Sequence, residues 1–148
     1  MFSYRGYDIQ DDIICSVAGL FAWGICLFPC SSYLAEERVG TFNIPEVISG
    51  TLHNISAIIF FALLAYNSLF LFTKSCGAMT KNKKRRNMIF RVCGIGMIAS
   101  FLLLIPLKIY NVHGAIWIVE AIALSFFGIS WLTKANCYRW LFRDKKEN

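Results

Sequence analysis

Four blocks of apolar residues alternate along the chain with short polar or basic stretches. The blocks show neither the two-residue alternation of a half-buried strand nor the narrow stripe of an amphipathic surface helix. Nearly every position is apolar, as in a helix surrounded by lipid. The blocks run over about residues 13–30, 47–72, 92–109 and 115–133. Crossing roughly 30 Å of hydrocarbon takes about 20 helical residues. In that solvent a helix satisfies its own backbone hydrogen bonds, which an open strand cannot do. The pattern therefore predicts an all-α polytopic membrane protein, a single membrane domain over residues 1–148 built as a bundle of four transmembrane helices.

The stretches between the blocks read as connections. Met1–Asp12 is polar and aromatic, with Asp8, Asp11 and Asp12 and no positively charged leader, so no cleavable signal peptide is expected. Residues 30–46 hold Glu36, Glu37, Arg38, Gly40, Asn43 and Pro45, which are turn and loop formers. Residues 74–91 read as a basic loop, and Asn111–Gly114 as a tight connection. Small residues mark close-packing positions: Ala18, Gly19, Ala22 and Gly24 in the first block, and Gly94, Gly96 and Ser100 in the third. Pro106 falls near the end of its block, where a missing N–H is tolerable. Trp117 and Trp131 bracket the fourth block, and the tail from Lys134 alternates bulky apolar and basic residues suited to lying along headgroups.

Composition agrees with the pattern. Hydrophobic residues make up 57% of the chain and charged residues 16%, against about 25% charged in a soluble domain. The mean hydropathy is +0.54. The formal charge of +6 is confined to segment ends, which speaks for membrane orientation rather than nucleic-acid binding. With the stretch Thr80–Arg91 (TKNKKRRNMIFR) placed in the cytoplasm, four spans put both termini there too. Thirteen basic residues then lie inside, and two, Arg38 and Lys108, lie outside. The expected location is the bacterial cytoplasmic (inner) membrane.

Candidate chemistry is sparse. Glu120 is the one carboxylate deep in a block, at a cost on the order of 2.5–3.5 kcal/mol unless it has a partner. His53 lies six residues inside the second block and Glu120 six residues inside the fourth, each about 9 Å deep from the outer face. Matched depth suggests a His53–Glu120 hydrogen bond with Asn54 nearby. Ser56, Phe60, Leu63 and Asn67 would continue the His53 side, and Leu124, Gly128 and Trp131 the Glu120 side. Two readings stay open: an outward-facing site for a lipid headgroup, a small polar ligand or a proton, or a polar clamp between helices. Lys83, Lys84, Arg85 and Arg86 are candidates for contact with anionic lipid, although the run also serves as an orientation signal.

Other chemistries are not supported. Haem ligation would need His53 and His113 face to face, and His113 falls in a short connection. The six cysteines form no C-x-x-C, so no metal site or dithiol centre is expected, and Cys15, Cys76, Cys93 and Cys137 are expected to stay reduced. Cys76 and Cys137 stand beside the membrane where acylation occurs. No catalytic residues, metal or cofactor are assigned.

Several strings together, FSYRGYDIQDDIICSVAGLFAWGICLFPC, LHNISAIIFFALLAYNSLFLFTKS, RNMIFRVCGIGMIAS and WIVEAIALSFFGISWLTK, resemble an uncharacterised family of bacterial integral membrane proteins, distantly like the damage-regulated autophagy modulator superfamily. The resemblance covers Phe2 to Lys134, and its polar marks fall on Tyr7, Asp8, Asp12, Pro29, His53, Arg86, Asn87, Arg91, Glu120, Ser130 and Lys134. It implies the helical membrane fold, about two further spans upstream of the YRGYD-like string, and no particular activity. The functional expectation is a non-enzymatic membrane protein with a polar site at His53, Asn54 and Glu120. The alternative is a structural or assembly subunit whose polar pair locks helices, and a lipid-acting enzyme is a third reading. The expected partners are membrane lipids, a second copy of the chain or another membrane subunit, and no nucleic acid.

Overall fold

The computed structural model describes residues 9–30, 38–74, 81–110, 112 and 114–135. Four long helices appear: α1 (Ile9–Leu27), α2 (Glu46–Tyr66), α3 (Lys81–Ile109) and α4 (Ala115–Lys134). A two-stranded ribbon, β1 (Arg38–Val39) and β2 (Ile44–Pro45), lies between α1 and α2, and a π-helical turn, Asn67–Leu71, continues α2. Each helix, α2 with its π turn included, is long and apolar enough to cross a membrane. The chain is thus an all-helical integral membrane protein with four candidate spans. It divides into two compact units, Met1–Leu63 and Leu64–Asn148, so the boundary falls inside α2.

Two helices start earlier than the apolar blocks. α1 begins at Ile9 and takes Asp11 and Asp12 into its first turn, where carboxylates meet the positive end of the helix dipole. α3 begins at Lys81, so residues 81–91 of the expected basic loop are helical. Charge excludes a residue from hydrocarbon but not from a helix, and Lys and Arg are good helix formers. The helix extends beyond the apolar part of its span by about three turns.

In the first unit, the buried positions of α1 are Asp11, Cys15, Ala18 and Gly19, one stripe at helical spacing. Gly24 is where α1 meets α2: a Cβ there would come within 2.6 Å of Ser56 Oγ. α1 ends two residues before Pro29, which cannot continue a helix. The ribbon pairs Arg38 with Pro45 and Val39 with Ile44, antiparallel, and turns through Gly40 (φ +74°) and Asn43 (φ +48°). Both positions need the left-handed region that glycine and asparagine tolerate. The ribbon sits on the end of α1, where a Cβ at Gly40 would meet Pro29 Cδ at 2.8 Å and the Phe28 and Phe42 rings lie 5.9 Å apart.

In the second unit, α3 packs along α4 and against the π turn. Lipid is as apolar as the side chains, so close fit and polar links rather than hydrophobicity hold such helices together. The fit is tight at two glycines. A Cβ at Gly96 would meet the Phe126 ring at 2.8 Å, and one at Gly94 would overlap the Leu69 side chain. At one end Phe72 contacts Phe90 (5.5 Å between centroids, 64°) and Trp131 (5.7 Å, 54°), and Phe127 lies 5.6 Å from Trp131. Lys134 Nζ stands 5.1 Å from the centre of the Phe72 ring, within cation–π range. The buried side of α4 is Ala115, Val119, Ala123, Ser130 and Thr133. This departs from the expected inward side of Glu120, Leu124, Gly128 and Trp131. Leu124 is exposed, Glu120, Gly128 and Trp131 are half-buried, and no described atom lies within 4 Å of a Cβ built on Gly128. The small side chains at 115, 119 and 123 let α4 approach α3 more closely than Glu120 and Leu124 would.

Candidate functional site

A helix leaves its last carbonyls without partners inside the helix, and at a span end something must supply donors. In the first unit those donors come from α2. Ser49 Oγ donates to Pro29 O at 2.8 Å, and His53 Nδ1 lies 2.8 Å from Phe28 O. A carbonyl only accepts, so Nδ1 carries the proton in this pair, which makes Nε2 the acceptor of the neutral ring. Both side chains are buried. Positions 49 and 53 are one turn apart and face the same way, so a single face of α2 closes two successive carbonyls at the end of α1.

The second unit repeats the arrangement with different chemistry. Lys83 Nζ donates to Lys74 O at 2.9 Å, and Asn87 Nδ2 donates to Thr73 O at 3.3 Å. Again two side chains one turn apart, near the start of the following helix, close two successive carbonyls beyond the preceding span. Lys83 also brings a positive charge to a helix C-terminus, where the dipole favours it.

A buried polar knot joins three elements of the second unit. Ser68, in the π turn, donates to Phe90 O of α3 at 2.8 Å and lies 2.7 Å from Ser130 Oγ of α4. Its single hydroxyl hydrogen goes to the carbonyl, so Ser130 donates to Ser68. Such interhelical bonds contribute roughly 0.6–1.7 kcal/mol each in a membrane. Several other hydroxyls in the helices bond back to their own backbone: Thr51 to Val47 O, Ser100 to Gly96 O, Ser125 to Ala121 O and Thr133 to Ile129 O, all at 2.7–2.8 Å.

The residues expected to form a site divide between the units. His53 is buried, and Asn54, one position round the helix, is exposed, both in the first unit. Glu120 is half-buried on the flank of α4 in the second. Of the stripe following His53, Ser56, Phe60 and Asn67 are buried. The basic residues 83–86 do not form one patch, because consecutive positions point about 100° apart on a helix. Lys83 reaches the Lys74 carbonyl, Lys84 and Arg85 are exposed, and Arg86 is half-buried. Cys15, Cys26, Cys30 and Cys93 form no disulfide among the described residues, and among them no group of His, Cys, Asp or Glu is placed to hold a metal. His113, Cys76, Cys137 and the basic tail beyond residue 135 lie outside the described residues. No protein family, curated protein or solved structure matches the chain.

Sequence reasoning missed both sets of helix-end donors. The signal was present: Ser49 with His53, and Lys83 with Asn87, are polar pairs at a spacing of four just inside a span that follows a turn. The matching carbonyls carry no sequence signature, so the pairs had no visible target.

Proposed function

We propose that this protein has a structural or assembly role in the membrane, its polar side chains tying helices together rather than performing chemistry. The observation that carries the reading is the His53–Phe28 contact at 2.8 Å: the most chemically capable side chain of the spans serves a helix end. The Ser68–Ser130 knot and the Lys83–Asn87 pair support the same reading. The distribution of basic residues supports an orientation with residues 81–91 and both termini in the cytoplasm, and a bacterial inner membrane suits that rule. The end of α1, with its His53 closure, would then face outward.

A second reading keeps one observation in its favour. Glu120 is a half-buried carboxylate inside a span, a kind of residue that often marks a functional site. A polar site drawing on His53, Asn54 and Glu120, for a lipid headgroup or small polar ligand, would use it.

Thermal unfolding of the detergent-purified chain separates the two. Under the structural reading His53→Leu lowers Tm by a few degrees, since about 1 kcal/mol corresponds to roughly 2–4 °C for a chain of this size. Asn54→Leu, at an exposed position, changes little, and Glu120→Gln costs little. Loss of an added lipid's stabilising effect in all three variants would instead establish the ligand site.

A further inference from the structure

From Val47 through Val119 the sequence holds no acidic residue, yet it carries Lys74, Lys81, Lys83, Lys84, Arg85, Arg86, Arg91 and Lys108. That stretch supplies no carboxylate of its own to the start of α3. The tail offers little, since residues 134–148 hold five basic residues against Asp144 and Glu147.

The start of α3 also carries a groove of about 330 Å³, lined by Lys84, Asn87, Met88, Arg91, Val92 and Ile95. That volume is within the range of small-ligand sites. Lys84 and Arg91, both exposed, stand two turns apart, with exposed Met88 between them and exposed Val92 and Ile95 beyond Arg91. Asn87 forms the wall between the two cations. It is 8% exposed, its amide nitrogen serves Thr73 O, and its Oδ1 is buried with no partner among the described residues. The groove thus presents two cations two turns apart, with apolar surface between them at Met88 and past Arg91 at Val92 and Ile95.

We infer that this groove binds one anionic glycerophospholipid. Its phosphate lies between Lys84 and Arg91, and the start of one acyl chain lies on Met88, Val92 and Ile95. Charge complementarity selects this occupant: a zwitterionic lipid brings its own cation toward Lys84, and the basic tail repels the same surface. Asn87 lines the groove while its amide serves the helix-end closure, but the two cations, Lys84 and Arg91, take no part in that closure, so lipid binding and the structural reading can fail separately. It also differs from a diffuse basic surface, in which any two of the six basic residues between 81 and 91 would serve equally.

Native mass spectrometry of the full-length protein, released from vesicles of equal phosphatidylglycerol and phosphatidylcholine, tests the inference. The expected result is retention of one phosphatidylglycerol in preference to phosphatidylcholine. Lys84→Ala with Arg91→Ala should reduce that preference roughly tenfold or more, as removal of two headgroup-level charges implies. Lys81→Ala with Arg85→Ala removes the same charge from exposed positions outside the groove and should leave the preference within about twofold. Val92→Trp fills the groove with both cations kept, and should also reduce retention. Unchanged helical circular dichroism in each variant excludes misfolding as the cause. Equal losses in the two double variants, or equal retention of both lipids by the parent, would overturn the site. So would a photoreactive group at Ile95 that crosslinks to protein, tail or second copy, in place of lipid.

Discussion

The end of α1 and the end of the second span are closed in the same way by different side chains. At the first, Ser49 and His53 serve Pro29 and Phe28; at the second, Lys83 and Asn87 serve Lys74 and Thr73. In both, the earlier residue of the pair reaches the later carbonyl, as two antiparallel helices require. The first closure has a neutral hydroxyl and a ring, both buried, with a two-stranded ribbon over the helix end. The second has an ammonium group on a half-buried residue. A helix end needs donors and is indifferent to their type, so the surroundings decide. A buried closure favours neutral donors, because an ammonium group there would lose its hydration. A closure at the start of a basic helix can use a cation, which also meets the dipole.

The largest effect is expected at the cationic closure. Lys83→Met with Asn87→Leu should destabilise the chain by about 2–3 kcal/mol, since a hydrogen bond from a charged donor contributes more than a neutral one. Unfolding in mixed micelles at low ionic strength measures it. A loss below that of the neutral closure would invert the comparison.

Ser49→Ala with His53→Leu should cost less, about 1–2 kcal/mol. The sharper discriminator is salt. Raising ionic strength toward 1 M shortens the screening length to about 3 Å, which should shrink the Lys83 contribution and leave the Ser49–His53 contribution unchanged at neutral pH. Identical salt responses would mean that charge plays no part in the difference.

These closures also mark how far the sequence could be read. The four helices were legible because predominantly apolar blocks of this length, almost free of charge, have few other solutions. The extension of α3 back to Lys81 was not, because the boundary of an apolar block reports where lipid begins, not where the helix does. The ribbon escaped because each strand is two residues long, too short for alternation to register. The π turn escaped as well. Asn67 and Ser68 stand as two adjacent polar residues in an otherwise apolar run, but that both are fully buried is visible only in three dimensions. Of the candidate site, Ser130 and His53 were noticed as polar marks, but their partners, Ser68 and the Phe28 carbonyl, could not be inferred from spacing along the chain.

The Ser68–Ser130 knot has no counterpart in the closures, since both its hydroxyls are fully buried and only one of its acceptors is backbone. Ser130→Ala removes one bond and leaves Ser68 paired with Phe90 O, so it should cost at the low end of the range, about 0.6 kcal/mol. Ser68→Ala leaves Ser130 without its acceptor and Phe90 O without its side-chain donor, and should approach about 1.7 kcal/mol. Equal costs would mean that the π turn is held by backbone alone.

The smallest effect is expected at Gly128, and it tests whether the chain is complete by itself. Gly96→Ala should cost about 1–3 kcal/mol, because the added methyl would stand 2.8 Å from the Phe126 ring and the core must shift. At Gly128 no described atom lies within 4 Å of the added methyl, so Gly128→Ala meets open space. Alanine is also the better helix former, by roughly 0.5–1 kcal/mol, so the isolated chain should be unchanged or slightly stabilised. That holds only if nothing else packs there. In a membrane the open faces of α4 meet lipid or another helix, and small residues are where another helix comes closest. The measurement is therefore made twice, on unfolding in dilute detergent and on association by energy transfer between labelled copies in vesicles. No change in either identifies Gly128 as a lipid-facing position. Unchanged unfolding together with lost association would show that a second copy covers α4, and that Gly128 is small for the partner's sake.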